Sequence, residues 1–175
     1  MEADSGFVLR APKATDGAAV AALIAASPPL DRNSTYCNLI QCSHFADTCL
    51  VAERNGVIEG WVSGHRVPAD PSLFFVWQIA VAETARGHGL ARRMIEALVA
   101  RPAVQGASAL ITTITDDNRA SWALFESLAR KWNASLERSA MFDREIHFNG
   151  AHDSEWQARI SPLPHHAAPQ TTQEL

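Results

Sequence analysis

The sequence has little charge in excess, few cysteines and no long apolar run. Its 15 Lys and Arg stand against 19 Asp and Glu, which gives a net charge of −4 with histidine neutral. That balance gives no electrostatic reason to expect nucleic acid or an anionic membrane as a partner. No apolar run approaches the ~20 residues that span a bilayer, and the polar, acidic start at residues 1–6 resembles no targeting segment. We therefore expect a soluble, cytoplasmic protein.

The three cysteines are too few for a disulfide framework in a chain of this length. Cys37, Cys42 and Cys49 form no Cys-x-x-Cys pair, and although His44 lies among them, their spacing matches no zinc pattern. We expect buried structural thiols and no metal site.

Apolar residues are abundant enough to build a core. Hydrophobic residues make up 47% of the chain and charged residues 19%, a balance that excludes an intrinsically disordered protein. At roughly 150 residues per domain, the length predicts a single domain over residues 7–161, with a flexible N-terminus at residues 1–6. Residues 162–175 carry three prolines and little to bury, which predicts a mobile tail.

Apolar runs bounded by turn residues predict five strands before the last third of the chain. Asn55-Gly56 separates the second and third of them, and this dipeptide is typical of a hairpin turn. The run at residues 73–82 is almost continuously apolar, which is expected of a strand buried on both faces. The predicted strands lie at residues 7–10, 49–52, 58–65, 73–82 and 109–114.

Apolar residues at helical spacing predict four helices between these strands. Residues 136–160 show only short, uncertain strand patterns. Hairpin and crossover connections together predict an α/β fold, a mixed sheet with helices on its faces. The helices are expected after a cap at Thr15 or Asp16, from about Asn33 or Ser34, over residues 87–100, and after a cap at Thr115, Asp116 or Asp117.

The stretch from Trp77 to Ala91 leads from an apolar strand through a glycine-containing turn into a helix. A helix N-terminus offers unsatisfied N–H groups and the positive end of the helix dipole to an anion. Gly87 and Gly89 let the backbone approach that anion, and Arg86 adds positive charge. The pattern favours a phosphate or pyrophosphate cradle, although a plain structural turn is about as common.

Two other phosphate-binding motifs do not fit this stretch. No Gly-x4-Gly-Lys-Ser/Thr sequence occurs, which excludes a P-loop. A dinucleotide-binding turn needs a third glycine where this chain has Arg92. Asp116 and Asp117 do follow the next strand, where a ribose-binding acid would lie, but the first strand of such a fold would not follow a hairpin.

The residues Arg86-x-x-Gly89-x-Ala91 resemble the coenzyme A pyrophosphate loop of the Gcn5-related N-acetyltransferases (GNAT), whose motif is Arg/Gln-x-x-Gly-x-Gly/Ala. The order of elements over residues 7–160 is similar as well. The resemblance implies the GNAT fold, with a central mixed, mostly antiparallel sheet, and acetyl-CoA as co-substrate. It implies that coenzyme A is bound by Ile79, Ala80, Val81, Arg86, Gly87, His88, Gly89, Leu90, Ala91 and Asn118.

A narrower resemblance lies in segments that other acetyltransferases lack. Residues 31–36, 44–49, 75–81, 100–103 and 152–155 are together similar to the diaminobutyrate acetyltransferases of ectoine synthesis, an osmoprotective pathway. This implies acetyl transfer to the 4-amino group of L-2,4-diaminobutyrate, by direct attack in a ternary complex, in a cytoplasmic homodimer. The pocket for this diamino acid is expected to contain Asp31, Ser34, Thr35, Tyr36, Trp77, His152 and Glu155.

Acetyl transfer needs a group that removes a proton from the substrate ammonium, whose pKa is about 10.4 if it behaves like lysine. The candidates are Glu155, directly or through a water, Tyr36 and His152. Many GNAT enzymes protonate the leaving thiolate with a tyrosine four positions after a helix-opening serine. Here Ser121 is followed by Phe125 at that position, so the general acid is unassigned.

Plainer interpretations of the same residues stay open at this point. Asp31 could only cap a helix, Trp77 could belong to the core, and His152 and Glu155 could be solvated surface residues. The alternative functions are a GNAT enzyme for another amine, such as a polyamine, an aminoglycoside or a protein N-terminus, and a non-catalytic acyl-CoA sensor.

Overall fold

A computed structural model describes residues 6–166, with only the backbone of His166. Its contacts divide the chain into two compact units, the first ending at Gln105 and the second beginning at Gly106. The predicted flexible N-terminus, except for Gly6, lies outside the described residues, as does most of the predicted tail.

The first unit holds four strands in the order β1-β2-β3-β4, and each neighbouring pair is antiparallel. Asn55 and Gly56 connect β2 to β3 with φ angles of 53° and 77°, which confirms the predicted hairpin turn. The elements are β1 (Val8–Arg10), α1 (Gly17–Ala25), α2 (Thr35–Ser43), β2 (Leu50–Arg54), β3 (Val57–Val67), β4 (Asp70–Val81) and α3 (Leu90–Val99).

Successive residues of β3 pack against different layers because side chains alternate along a strand. Trp61 is fully buried in a cluster that includes Val20 and Ile24 of α1. At Gly60, an added Cβ would come within 2.7 Å of the sulfur of Met94 in α3. The helices α1 and α3 therefore cover opposite faces of this strand, and glycine at position 60 lets α3 pack closely.

The second unit holds three antiparallel strands in the order β5-β7-β6. Where the sequence predicted short and uncertain strands, two long strands and a helix occur. Leu163 is fully buried, and its N–H donates to Ser108 O over 3.1 Å. The prediction of a mobile tail is therefore wrong at its beginning. The elements are β5 (Ala109–Thr115), α4 (Arg119–Lys131), β6 (Ser135–Phe142), α5 (Arg144–Phe148) and β7 (Glu155–Ser161).

Two helices begin later than the sequence predicted. The helix α3 begins at Leu90, not at residue 87, because Gly87 and Gly89 have left-handed φ angles that interrupt helical geometry. The helix α4 is capped by Asn118, whose Oδ1 accepts a hydrogen bond from Ser121 N over 3.1 Å. The predicted caps at Thr115, Asp116 and Asp117 are wrong.

None of the helices in the described part of the chain is both long and apolar enough to cross a bilayer.

Candidate active site

The turn between β4 and α3 leaves open space above its glycines. Gly87 and Gly89 have φ angles of 81° and 66°, a conformation that favours glycine. A Cβ at Gly87 would meet no described atom within 4 Å beyond its chain neighbours, and one at Gly89 would meet only Arg92 Nη2, at 3.7 Å. Within the described residues no side chain caps α3, so its first N–H groups can bind an anion.

Polar contacts hold the residues that lead into this turn. Arg86 is exposed, and its Nε donates to Val81 O over 3.2 Å, which places a positive charge beside the glycines. Glu59 on β3 accepts hydrogen bonds from Thr84 Oγ1 at 2.9 Å and from Arg54 Nη2 at 2.7 Å. The hydrogen bonds from the Arg54 guanidinium hold the pKa of Glu59 below its usual range, so the carboxylate remains ionised.

A β-bulge lies in β4 just before residues 79–81, which the resemblance assigns to coenzyme A binding. Ser63 pairs with Gln78 and the next β3 residue, Gly64, pairs with Val76, so Trp77 is the extra residue on β4. Bulges bend a strand and change the direction of a side chain, and they are frequent near active sites. Trp77 is 50% exposed, which excludes the core interpretation and the prediction that β4 is buried on both faces.

Three aromatic rings surround His65, and Trp77 is one of them. The ring of His65 lies 6.5 Å from that of Trp77, 5.3 Å from Phe75 and 6.4 Å from Phe45, measured between centroids. Burial among these rings lowers the pKa of His65. His65 is therefore mainly neutral at pH 7. It packs against Trp77 as an uncharged aromatic ring.

After the bulge, β4 carries Ile79, Ala80 and Val81, which pair with Val62, Trp61 and Gly60 of β3. Backbone N–H and C=O groups point alternately to the two sides of a strand. Some of these groups in residues 79–81 therefore face away from β3. His88, Leu90 and Ala91 complete the predicted coenzyme A loop, with Leu90 buried and His88 exposed.

The predicted substrate segment at residues 31–36 runs into α2. Ser34 is the helix cap, since its Oγ accepts a hydrogen bond from Cys37 N over 3.1 Å. Asp31 is not the cap and is exposed, as are Thr35 and Tyr36; the tyrosine is 72% exposed. The cap interpretation of Asp31 is thereby excluded.

Two residues that the sequence analysis missed connect this segment to β4. Asn33 Nδ2 donates to Gln78 Oε1 over 3.0 Å, and Gln78 Nε2 donates to Asp31 O over 2.8 Å. Asp31 is thus fixed beside the residue that follows Trp77. The signal was present in the sequence, since Gln78 is an amide within an otherwise apolar strand.

The second unit contains the other predicted site residues. Glu155 is the half-buried first residue of β7, where it pairs with Thr115 of β5 and Phe142 of β6. The His152 ring contacts Phe148, and its Nδ1 lies 2.7 Å from Asp153 O. Because a carbonyl only accepts, Nδ1 is the donor in this contact. Asn118 Oδ1 is committed to the cap of α4, which leaves its Nδ2 as the group suited to a ligand.

Burial makes two of the three cysteines poor candidates for catalysis. Cys42 and Cys49 are buried, as predicted, and burial raises their pKa values to about 11 and about 12. Cys37 is partly exposed, contrary to the prediction. No cluster of three or more metal-ligating side chains occurs in residues 6–165.

Comparison with known proteins gives consistent matches. Residues 19–129 match the family model described as acetyltransferase (GNAT) family. The chain is 48% identical over 157 residues to the L-2,4-diaminobutyric acid acetyltransferase of Methylotuvimicrobium alcaliphilum, covering 90% of this chain and 91% of the relative. It is 43% identical to the protein of that name from Vibrio parahaemolyticus, covering 88% of this chain and 85% of the relative.

A solved structure matches with a TM-score of 0.85 and 36% identity, covering 89% of this chain and 95% of the other. It is the diaminobutyrate acetyltransferase EctA from Paenibacillus lautus, in complex with its substrate L-2,4-diaminobutyric acid and coenzyme A. The match confirms the predicted fold class, an α/β fold with a mixed sheet flanked by helices.

Proposed function

The chain belongs to the acetyltransferase (GNAT) family, and from that premise we infer that it transfers acetyl from acetyl-CoA to the 4-amino group of L-2,4-diaminobutyrate, in ectoine synthesis. The observation that carries the inference is the match over 89% of the chain to a diaminobutyrate acetyltransferase solved with its substrate and coenzyme A. The product is N4-acetyl-L-2,4-diaminobutyrate.

The turn after β4 has the properties that a diphosphate requires. The open space above Gly87 and Gly89 and the uncapped N-terminus of α3 offer backbone N–H donors to phosphate oxygens. Arg86, fixed by the Val81 carbonyl, adds a positive charge. Residues 79–81 and Asn118 are proposed to hold the pantetheine arm, and acetyl-CoA supplies an acyl thioester.

The substrate carries two ammonium groups and one carboxylate, so its pocket needs acidic acceptors and at least one donor. Asp31 is proposed as one acceptor, since the bonds of Gln78 and Asn33 fix its backbone. The half-exposed ring of Trp77 is suited to form a flat wall or to contact a cation. Ser34, Thr35 and Tyr36 supply hydroxyl groups at the start of α2.

Glu155 and His152 are proposed as the candidates for the base that deprotonates the amine. Tyr36 is the third candidate, and its side chain is 72% exposed. The Asp153 carbonyl accepts the hydrogen bond of His152 Nδ1, so His152 would act as a base through Nε2. Glu155 would act with its carboxylate, directly or through a water.

The leaving thiolate is proposed to depart without a protonating side chain. Phe125 occupies the position where many GNAT enzymes have a tyrosine, and it is only 2% exposed, within the core. A thiol with a pKa of about 8.5 is a fair leaving group at neutral pH. Direct attack of the amine on the thioester then needs no covalent enzyme intermediate.

The proposed assembly is a cytoplasmic homodimer that serves osmoprotection. The end of β6 and the helix α5 expose apolar side chains that a second copy would cover: Met141 is 40%, Phe142 38% and Ile146 80% exposed. Ile146→Asp is expected to shift the sedimentation coefficient from that of a dimer to that of a monomer. A wild-type monomer at micromolar concentration would contradict this assembly.

Rates of thiol release from acetyl-CoA with diaminobutyrate, putrescine and lysine test the assignment of the substrate. We expect diaminobutyrate to be preferred over both, because putrescine lacks the carboxylate and lysine is longer. Equal rates with all three would contradict the specific assignment and favour a general amine acetyltransferase. Binding of coenzyme A without turnover of any amine would favour the sensor.

A further inference from the structure

Gln78 carries a buried amide in the first unit. It lies between two candidate ligand-binding segments, the proposed substrate segment at residues 31–36 and the proposed coenzyme A segment at residues 79–81. It is 8% exposed. It follows Trp77 of the bulge and precedes Ile79, the first of the residues proposed to hold the pantetheine arm of coenzyme A. Both ends of its amide are used: Oε1 accepts from Asn33 Nδ2 at 3.0 Å, and Nε2 donates to Asp31 O at 2.8 Å. Both partners belong to the loop before α2.

These contacts require an uncharged side chain that accepts and donates at once. Glutamine does both at this length, whereas glutamate cannot donate to the Asp31 carbonyl and methionine can do neither. A buried amide that loses its hydrogen-bond partners destabilises the folded state, because it has also lost its hydrogen bonds to water. The position of residues 31–33 relative to Trp77 is thus coupled to the identity of one buried side chain.

We infer that Gln78 is a positioning residue for the diamino acid: it holds Asp31 and the start of α2 beside Trp77 without itself contacting the substrate. This inference rests on the proposed function. It assigns to Gln78 and Asn33 an effect on the KM for diaminobutyrate. The KM for acetyl-CoA should change much less, because neither side chain is among the residues proposed to bind coenzyme A, which are residues 79–81, residues 86–91 and Asn118.

The kinetic test uses Gln78→Met, Asn33→Ala and the double variant. Gln78→Met is expected to raise the KM for diaminobutyrate about tenfold, as expected for the loss of about 1.4 kcal/mol of hydrogen bonding. The KM for acetyl-CoA should change less than about twofold. Asn33→Ala lies in a loop outside the core, so it tests the same contact should Gln78→Met fail to fold. In the Gln78→Met background, Asn33→Ala should hardly raise the KM for diaminobutyrate further, because the hydrogen-bond partner of Asn33 is already absent.

Gln41→Met is the matched control, since Gln41 is also a buried amide and its Oε1 accepts a hydrogen bond from Asn38 within α2. We expect a lower Tm from it without a selective rise in the KM for diaminobutyrate. An unchanged KM for diaminobutyrate in Gln78→Met, an equal rise in both KM values, or additive effects of the two single variants would overturn the inference.

Hydrogen exchange separates a failure of this inference from a failure of the proposed function. If the wild-type chain does not acetylate diaminobutyrate, the proposed function fails, and exchange at residues 31–36 still decides whether Gln78 positions this segment. We expect faster exchange there in Gln78→Met than in Gln41→Met. Equal protection in the two variants would overturn the positioning role.

Discussion

Gly89 and Gly56 share a left-handed backbone, with φ angles of 66° and 77°, yet Gly89 stands at the N-terminus of α3 and Gly56 closes the β2–β3 hairpin. A Cβ meets no close atom at either position. A substitution therefore brings similar backbone strain at both sites, and only the one at Gly89 places new atoms where the diphosphate is proposed to bind.

Gly89→Glu is expected to raise the KM for acetyl-CoA at least about tenfold, because a carboxylate would compete with phosphate for the N–H groups of α3. Steady-state kinetics with acetyl-CoA as the varied substrate measures this effect. Gly56→Glu is the control, with a comparable loss of Tm and an unchanged KM. Equal KM values in the two variants would contradict the assignment of the loop.

Glu155→Gln is expected to lower the kcat for diaminobutyrate by about a hundredfold or more if Glu155 is the base, since general base catalysis contributes that much. Binding of coenzyme A, measured by calorimetry, should stay near the wild-type value. Glu126→Gln on the exposed side of α4 is the control and should leave both quantities unchanged. Near-normal turnover in Glu155→Gln together with a large loss in His152→Gln would transfer the role to His152.

Thiol labelling should distinguish the three cysteines. Burial raises the pKa values of Cys42 and Cys49 to about 11 and about 12, so almost none of either is thiolate at neutral pH, whereas Cys37 is partly exposed. We expect iodoacetamide to modify Cys37 at least about a hundredfold faster than the other two in the folded protein. Peptide mass spectrometry identifies the site, and Cys37→Ser should abolish the fast phase. Comparable labelling of all three before unfolding would contradict this burial.

The stability of the protein should contain a contribution from His65 that depends on pH. Burial lowers its pKa in the folded state below the value of about 6.5 expected for the unfolded chain. The unfolded state then binds more protons in acid, so this contribution is present above pH 6.5 and is lost as the pH falls through the lowered pKa.

His65→Phe keeps a ring among Phe45, Phe75 and Trp77 and removes the titration. Urea unfolding of both proteins between pH 5 and 8 measures the difference in their free energy of unfolding. The wild type should lose stability relative to His65→Phe as the pH falls below about 6.5. A difference that stays constant over this range would contradict a lowered pKa.

Local patterns predicted most of the secondary structure, and they also indicated the candidate coenzyme A loop. Hydrophobic spacing located α1 and β5, and Asn55-Gly56 located the hairpin, because these signals lie within a few neighbouring residues. The start of α3 was missed since Gly87 and Gly89 fit either a helix turn or a loop, and only their φ angles decide between them.

The contacts around the candidate site could not be predicted in the same way. Asn33 and Gln78 lie 45 positions apart in the sequence, and their hydrogen bond depends on how the loop before α2 packs on β4. The bulge at Trp77 likewise depends on the register between β3 and β4. The spacing of residues in the sequence therefore predicts neither the hydrogen bond between Asn33 and Gln78 nor the bulge at Trp77.

The position of the acetyl group in the product tests the central claim most directly. Acetyl-CoA labelled with ¹³C in the acetyl group is incubated with L-2,4-diaminobutyrate and the enzyme, and the product is assigned by NMR correlations from the labelled carbonyl. The account predicts coupling to the protons at C4, with one coenzyme A released per acetyl group transferred. Acetylation at the 2-amino group, or release of coenzyme A without an acetylated product, would contradict it.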